Sequence, residues 1–419
     1  MHPTTEEMIK NTREQFQLND FYLESFDLIK QDDDQIALSM NWLPNGAIKE
    51  GDSNPAGAVE ISVDIHTKML IDMVFVDEKN LLPEELFPRV DNLEAVIDWI
   101  EGQTQLEYGR QFKLVKETKE AIEFHAAVDN MKLFPGGVIR IHFNEAGILS
   151  SFLVHGAFAD ESQIQWEPFN LVDEAVHPLL TDHCKLIEVP DESTNSWKPL
   201  YVISSFLIHN QDPNSIIYFD EVENNLSYTP LDITLTWQEP LTEPFEKKEL
   251  HLQRTVTEEE AFQNKTAPIE AKPFSNDKIN QIVIEITNMM RREFPSDSGF
   301  WRLTSVKQEQ GYILASLAPA AETRKVVYPS LTLWIDPDTL EVNNYMDTKP
   351  LVEAFDFFEE AEAPKVDTDT AAKLLYEHIE LEPVYVYNQQ TKMYQLYGKV
   401  NSDIYGVDAI TGELSTINE

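Results

Sequence analysis

The side chains able to do chemistry are few and scattered. Of 10 histidines only His177 and His183 lie close together, the second beside the single cysteine, Cys184. Six positions along a helix turn a side chain by about 240°, so the two rings could share a zinc ion only if Pro178 or a helix end redirected the chain. Cys184 has no fixed basic neighbour and reads as a small buried residue rather than a nucleophile. A lone cysteine forms neither an internal disulfide nor a thiolate cluster, which fits a reducing compartment. His142 and His125 fall on strands as surface residues. The acidic runs Asp32-Asp33-Asp34, Glu258-Glu259-Glu260 and Glu359-Glu360 lack the spacing of a calcium loop. Asp336-Pro337-Asp338 comes nearest, but Leu340, Glu341 and Asp347 stand where an oxygen ligand, a glycine and the closing glutamate are needed. The chain contains no Gly-x-Ser-x-Gly elbow, phosphate loop, dinucleotide fingerprint or His-Glu-x-x-His. With 14 glycines in 419 residues there is little material for phosphate-cradling loops. No catalytic, cofactor-binding or metal-binding residue is assigned.

The remaining polar residues with a regular placement belong to a repeat. Four segments alternate apolar residues, pass an Asp or Asn, turn through Thr or Gly and resume: Val59 to Leu70, Ile139 to Leu149, Leu331 to Val342 and Asp403 to Leu414. Asp64, Asn144, Asp336 and Asp408 hold equivalent places, followed by Thr67, Gly147, Thr339, Thr411 and Gly412. As carboxylates these could bind metal or act as bases, but the second copy is Asn144, which cannot accept a proton. The reading is structural: Asp and Asn accept from backbone N–H groups two residues on, and Gly tolerates positive φ.

Each hairpin is preceded by a helix and two strands. The helices are expected at Thr5 to Gln17, Asn92 to Gly102, Asn276 to Phe294 and Thr368 to Ile379. The strands are expected at Phe21 to Ile29 and Gln35 to Trp42, Leu106 to Lys116 and Ala121 to Val128, Phe300 to Val306 and Tyr312 to Leu317, and Pro383 to Tyr387 and Met393 to Val400. The predicted fold is α+β, built of repeated α-β-β-β-β units whose antiparallel sheets are each packed by one helix. Two units fill 1–155 and two fill 274–419. Between them, 156–273 holds a degenerate unit, with a helix at Phe169 to Leu186 and strands at Leu200 to Ile208 and Ser215 to Glu221, followed by a Pro-rich arm from Pro230 to Pro273. Trp334 falls on the outward side of its strand and is a candidate contact surface. The acidic, aromatic stretch Leu351 to Ala361 reads as a short amphipathic helix packed between units.

This pattern resembles a known family. The terminal Tyr405-Gly406-Val407-Asp408-Ala409-Ile410-Thr411-Gly412-Glu413-Leu414 resembles the last strand pair of PepSY-like domains. Together with Gly136 to Gly147, it resembles the YcdB/YcdC repeats of Bacillus-type bacteria, which are PepSY-like themselves. The resemblance implies extracytoplasmic or membrane-attached relatives, some proposed to inhibit peptidases or bind peptide-like ligands. It carries over no catalytic residue.

Charge and hydropathy narrow the partners. Against 74 Asp and Glu stand 32 Lys and Arg, a formal charge of −42 that repels nucleic acid and anionic lipid. No apolar run is long enough to span a membrane, and Met1 to Glu7 has no export-signal character, so the expected location is cytoplasmic. The expected function is a non-enzymatic polypeptide-binding or peptidase-inhibitory module that receives a strand at a sheet face or edge, with no cofactor. The alternatives are a self-assembling structural protein and an enzyme whose acid pair is assembled from distant positions.

Overall fold

Helix caps and turn residues set most element boundaries. The computed structural model describes residues 1–30, 35–49, 51, 53–219, 222, 227–252, 254–263, 273–402 and 405–416. The acidic run Asp32 to Asp34, Glu221, Asn224-Asn225 and the first two residues of the last hairpin, Asp403 and Ile404, lie outside the described residues. In chain order, α1 (Pro3–Gln15) precedes β1 (Phe21–Lys30), β2 (Ile36–Pro44), β3 (Val59–Asp64) and β4 (Leu70–Phe75). Next come α2 (Leu93–Thr104), β5 (Phe112–Glu117), β6 (Ala121–Val128), β7 (Met131–Phe134), β8 (Val138–Phe143) and β9 (Leu149–His155). The middle holds α3 (Asp173–Val176), α4 (Leu180–His183), β10 (Cys184–Asp191), β11 (Ser196–Ile203), β12 (Phe206–His209), β13 (Asp212–Tyr218), β14 (Thr229–Thr234), β15 (Arg254–Val256) and α5 (Glu258–Gln263). Then follow α6 (Asn276–Glu293), β16 (Trp301–Glu309), β17 (Tyr312–Pro319), β18 (Leu331–Ile335), β19 (Val342–Asp347) and α7 (Lys349–Val352). The last elements are α8 (Thr368–Leu375), β20 (Glu380–Asn388), β21 (Met393–Asn401), β22 (Tyr405–Asp408) and β23 (Leu414–Thr416).

The fold is therefore mixed α and β. α1 starts two residues before the expected Thr5 because Pro3 suits a first helical position and the His2 ring accepts from Thr4 N at 3.2 Å. α2, α6 and α8 are capped in the same way, by Asn92, Ser275 and Asp367 accepting from Ala95 N, Lys278 N and Thr370 N. The expected helix from Phe169 to Leu186 is broken into short helical turns around Pro178, α4 ends at His183, and Cys184 already begins β10, so its last three residues are strand. Of the stretch Leu351 to Ala361, Leu351 and Val352 close the single turn α7, which runs on as a 3-10 turn, Glu353–Phe355.

Contacts divide the chain into two units. One comprises Met1–Trp166, Gln253–Ile269 and Val384–Gln395; the other comprises Glu167–Leu252, Glu270–Pro383 and Leu396–Glu419. In the first unit the strands run β20-β7-β6-β8-β9-β4-β3-β2-β1-β15, with β20 parallel to β7 through Val384 to Val386 and β5 beside β6. The sequence pattern predicts two separate sheets with one helix each. Instead β4 pairs with β9, Asp72 opposite Leu153 and Met73 opposite Phe152, which joins the two sets of strands into one sheet. Each was the edge of its own set, and pairing satisfies a row of backbone groups that would otherwise compete for water or a partner. One core therefore holds both helices, with Met8 of α1 and Val96 and Ile100 of α2 packed among Leu38, Met40, Trp42, Ile61, Met73, Phe124, Ile141 and Phe152.

In the second unit a five-stranded sheet, β14-β16-β17-β18-β19, carries α6. Ile282, Ile286, Met289 and Met290 recur at helical spacing and are buried against Leu303, Leu333 and Ile335, each worth about 1.5–3 kcal/mol on transfer from water. A second sheet runs β10-β11-β22-β23 and packs Ala371, Ala372 and Leu375 of α8. The last hairpin leaves β21 and pairs with β11, Tyr201 opposite Val407, while the end of β21 pairs with β12, Phe206 opposite Val400. The arm expected from Pro230 onward also takes part in pairing. β14 is the edge partner of β16, and β15 lies along β1 with Leu28 opposite Val256.

Candidate functional site

The hairpin turns use up the polar groups that the sequence singles out. Asp64 Oδ1 accepts from His66 N (2.8 Å), Thr67 N (2.6 Å) and Thr67 Oγ1 (3.0 Å). Asp336 Oδ1 accepts from Asp338 N and Thr339 N at 3.0 and 2.8 Å, and Asp408 Oδ1 from Ile410 N and Thr411 N at 2.8 and 2.9 Å. Asn144 Oδ1 accepts from Ala146 N and Ile148 N at 3.0 and 3.1 Å. The turn then needs a left-handed residue, supplied by Lys68 (φ 65°), Gly147 (71°), Leu340 (61°) and Gly412 (75°). Backbone donation from Thr339 is the main cause that lowers the Asp336 pKa. Burial raises that of Asp408, but its turn N–H groups and Lys198 outweigh this and lower it overall. A carboxylate spent on its own turn is a poor base or ligand.

Two further turns of this kind escaped the sequence reading. Asp191 accepts from Ser193 N and Asn388 from Gln390 N, both at 2.9 Å, with Asn195 (φ 50°) and Lys392 (φ 57°) in the left-handed place. The signal was present as Asp/Asn-x-x-Thr followed by a residue other than Gly.

The histidines do not gather. His177 stacks on Tyr376 at 4.7 Å, while His183 stacks on Phe206 at 4.0 Å with Nδ1 3.4 Å from Tyr218 Oη. Burial lowers the His183 pKa and pushes the Cys184 thiol up to about 11, far from a thiolate nucleophile at neutral pH. No group of three or more His, Cys, Asp or Glu able to hold a metal occurs among the described residues. Trp334, on the outward side of its strand where it could form a contact surface or be covered by a neighbouring part of the chain, is half-buried. It lies opposite Leu314 and Asn344. The arm donates Lys248 N to Asn343 O (2.7 Å), accepts at Lys248 O from Asn344 Nδ2 (2.9 Å) and donates His251 N to Tyr312 Oη (3.0 Å). It therefore passes from β19 to β17 across the strand that bears Trp334.

The outer face of the first unit's sheet brings together residues that no local pattern connects. Register places Ser39, Ser62, Asp72, Leu153, Arg140, Glu123 and Lys116 in one row across β2, β3, β4, β9, β8, β6 and β5. At one end, Ser39 Oγ donates to Glu60 Oε1 at 2.7 Å beside Asp72. Burial, with Glu60 adding and the Ser62 hydroxyl opposing, pushes the Asp72 carboxyl up to about 6. At the other end, Glu123 accepts from Arg140 Nε at 2.8 Å and lies 2.6 Å from His125 Nε2. Burial raises its pKa, but these two partners outweigh that and lower it overall.

Beside Glu123 opens a cavity of about 680 Å³ lined by Lys116, Lys119, Glu120, Glu123, Arg140 and His142. The exposed Lys116 and Lys119 have no ion-pair partner among the described residues, in a chain with 74 acidic side chains. The cavity adjoins β5, which pairs only with β6. Thr118 N donates to Ala121 O at 2.8 Å, so the neighbouring pair, Glu117 with Ile122, is the non-hydrogen-bonded one and the Glu117 backbone groups face outward. The start of this edge is taken by Gly109 N donating to Phe112 O at 2.9 Å. From Lys113 to Glu117 no strand covers it among the described residues, and Val115 there is 39% exposed.

No protein-family model matches the sequence. No curated protein matches it either. Among solved structures the chain is similar to the Bacillus megaterium YpeB C-terminal domain, with 9% identity and a TM-score of 0.28 over 51% of this chain and 96% of that one. No helix among the described residues is long and apolar enough to cross a membrane.

Proposed function

We propose that this protein is a non-enzymatic polypeptide-binding module, built from repeated PepSY-like α-β-β-β-β units, that receives an extended segment as an added strand on the β5 edge. A peptidase presenting such a segment is one partner of this class. The supporting observation is that edges of this chain accept strand addition in cis. β15 adds to β1, and residues 324–326 add to β10 through Glu188 N to Arg324 O (2.7 Å) and Val326 N to Glu188 O (3.0 Å). The β5 edge beyond Phe112 has no such cover among the described residues. In the antiparallel register that sets Lys113 of one copy opposite Lys116 of another, self-assembly through this edge opposes like charges.

A random heptapeptide display library, selected in parallel on the wild type and on Glu117→Pro, tests the reading. Proline at this position removes an outward N–H without removing a β5–β6 hydrogen bond. Peptides enriched on the wild type and lost on Glu117→Pro support strand addition. No enrichment, or equal retention by the folded variant, refutes it.

A further inference from the structure

The added strand has a definite chemistry, and this inference rests on the strand-addition reading above. We infer that the β5 edge selects an extended segment that alternates acidic and apolar residues, with the acidic side chains on the outer face of the sheet, against Lys116 and Lys119. Along β5 the two faces differ. Phe112 and Leu114 turn towards the core of the first unit, whereas Lys113 and Lys116 lie on the opposite face with Glu123 and Arg140. A strand laid beside β5 has its side chains about 5 Å from their neighbours across the ladder, so its inner positions extend the apolar surface over Leu114 and its outer positions stand beside Lys116.

The charges on that outer face are not equivalent. Arg140 is committed to Glu123 through Nε at 2.8 Å, and Glu123 is held by His125 as well. Lys113 donates Nζ to Asn130 O at 2.8 Å. Lys116 and Lys119 remain exposed beside the cavity, with no carboxylate partner among the described residues. A carboxylate supplied by an added strand completes them. The overall charge of −42 opposes an acidic ligand at long range. At 0.15 M ionic strength the screening length is about 8 Å, so lysines in contact outweigh distant acids once the strand is seated.

The test uses three blocked heptapeptides that alternate valine with glutamate, threonine or lysine. Binding to the full chain is read by fluorescence anisotropy at 0.15 M salt, and strand addition by hydrogen exchange at the β5 amides. The glutamate peptide is expected to bind about 3- to 10-fold tighter than the threonine peptide, as one or two exposed cross-strand charge pairs allow, with the lysine peptide weakest. Lys116→Glu combined with Lys119→Glu is expected to reverse that order. These exposed positions make no packing contact whose loss would unfold the sheet, and the threonine peptide, binding both forms alike, checks that the edge is intact. If all three peptides protect the β5 amides equally, or the order survives the double substitution, the acidic preference is wrong while strand addition stands. If no peptide of any charge protects those amides, strand addition fails and the preference fails with it.

Discussion

Replacing Asp72 by asparagine is expected to stabilise the protein at neutral pH, by an amount that vanishes in acid. Asp72 sits half-buried on the outer face of β4, between Ser62 and Leu153, with Glu60 as its charged neighbour. Its pKa is raised from 3.8 to about 6, chiefly by burial, then by Glu60 against the Ser62 hydrogen bond. The folded state therefore holds a proton that the unfolded chain releases between about pH 4 and 6, and stability falls as pH rises through that window. A rise of that size corresponds to about 3 kcal/mol, which solvent at a half-buried site reduces to about 1–2 kcal/mol. In the variant the amide oxygen still accepts from the Ser62 hydroxyl, but there is no charge to bury. Urea unfolding of the wild type and Asp72→Asn, followed by tryptophan fluorescence at pH 4, 5, 6 and 7.5, isolates this group, because the difference cancels the titration of the other acids. The variant should gain about 1–2 kcal/mol at pH 7.5 and nothing at pH 4. A difference independent of pH, or a variant less stable at pH 7.5, refutes the reasoning.

His183 titrates in the opposite sense. Burial lowers its folded pKa below 6.5, so stability is lost as pH falls below that value, and His183→Phe, which keeps the stack on Phe206, should remove part of the acid-side loss; an unchanged pH profile would count against it. Lys392 is exposed and held at φ 57°, so Lys392→Gly is expected to raise stability by up to about 1 kcal/mol, and a destabilised variant in thermal melts would contradict the strain argument. Asp408→Ala removes the acceptor for Ile410 N and Thr411 N and the ion pair with Lys198, and should cost about 1–2 kcal/mol, whereas Asp408→Asn keeps the turn; equal losses would show that charge rather than turn geometry matters there.

What the sequence alone determined is local. The hairpins centred on Asp64, Asn144, Asp336 and Asp408 could be read because an Asx acceptor and the left-handed residue after it act within five residues, whatever surrounds them. α6 was legible for a similar reason: Ile282, Ile286 and Met289 repeat at the helical period, with Ser275 to start the helix and basic residues to end it. Pro178 was visible too, but that it cuts the middle helix short and leaves Cys184 to open a strand depended on where β10 finds its partner, β11.

Only the tertiary structure decided which edges meet. Backbone donors and acceptors are the same in every strand, so nothing in the segment Tyr405 to Leu414 states that it will pair with β11 rather than β21, or that β4 will join β9. The row from Ser39 to Lys116, the raised pKa of Asp72 and the open β5 edge all follow from those pairings. Such contacts are settled by which apolar faces can be buried together, a property of the whole chain that no short stretch of it encodes.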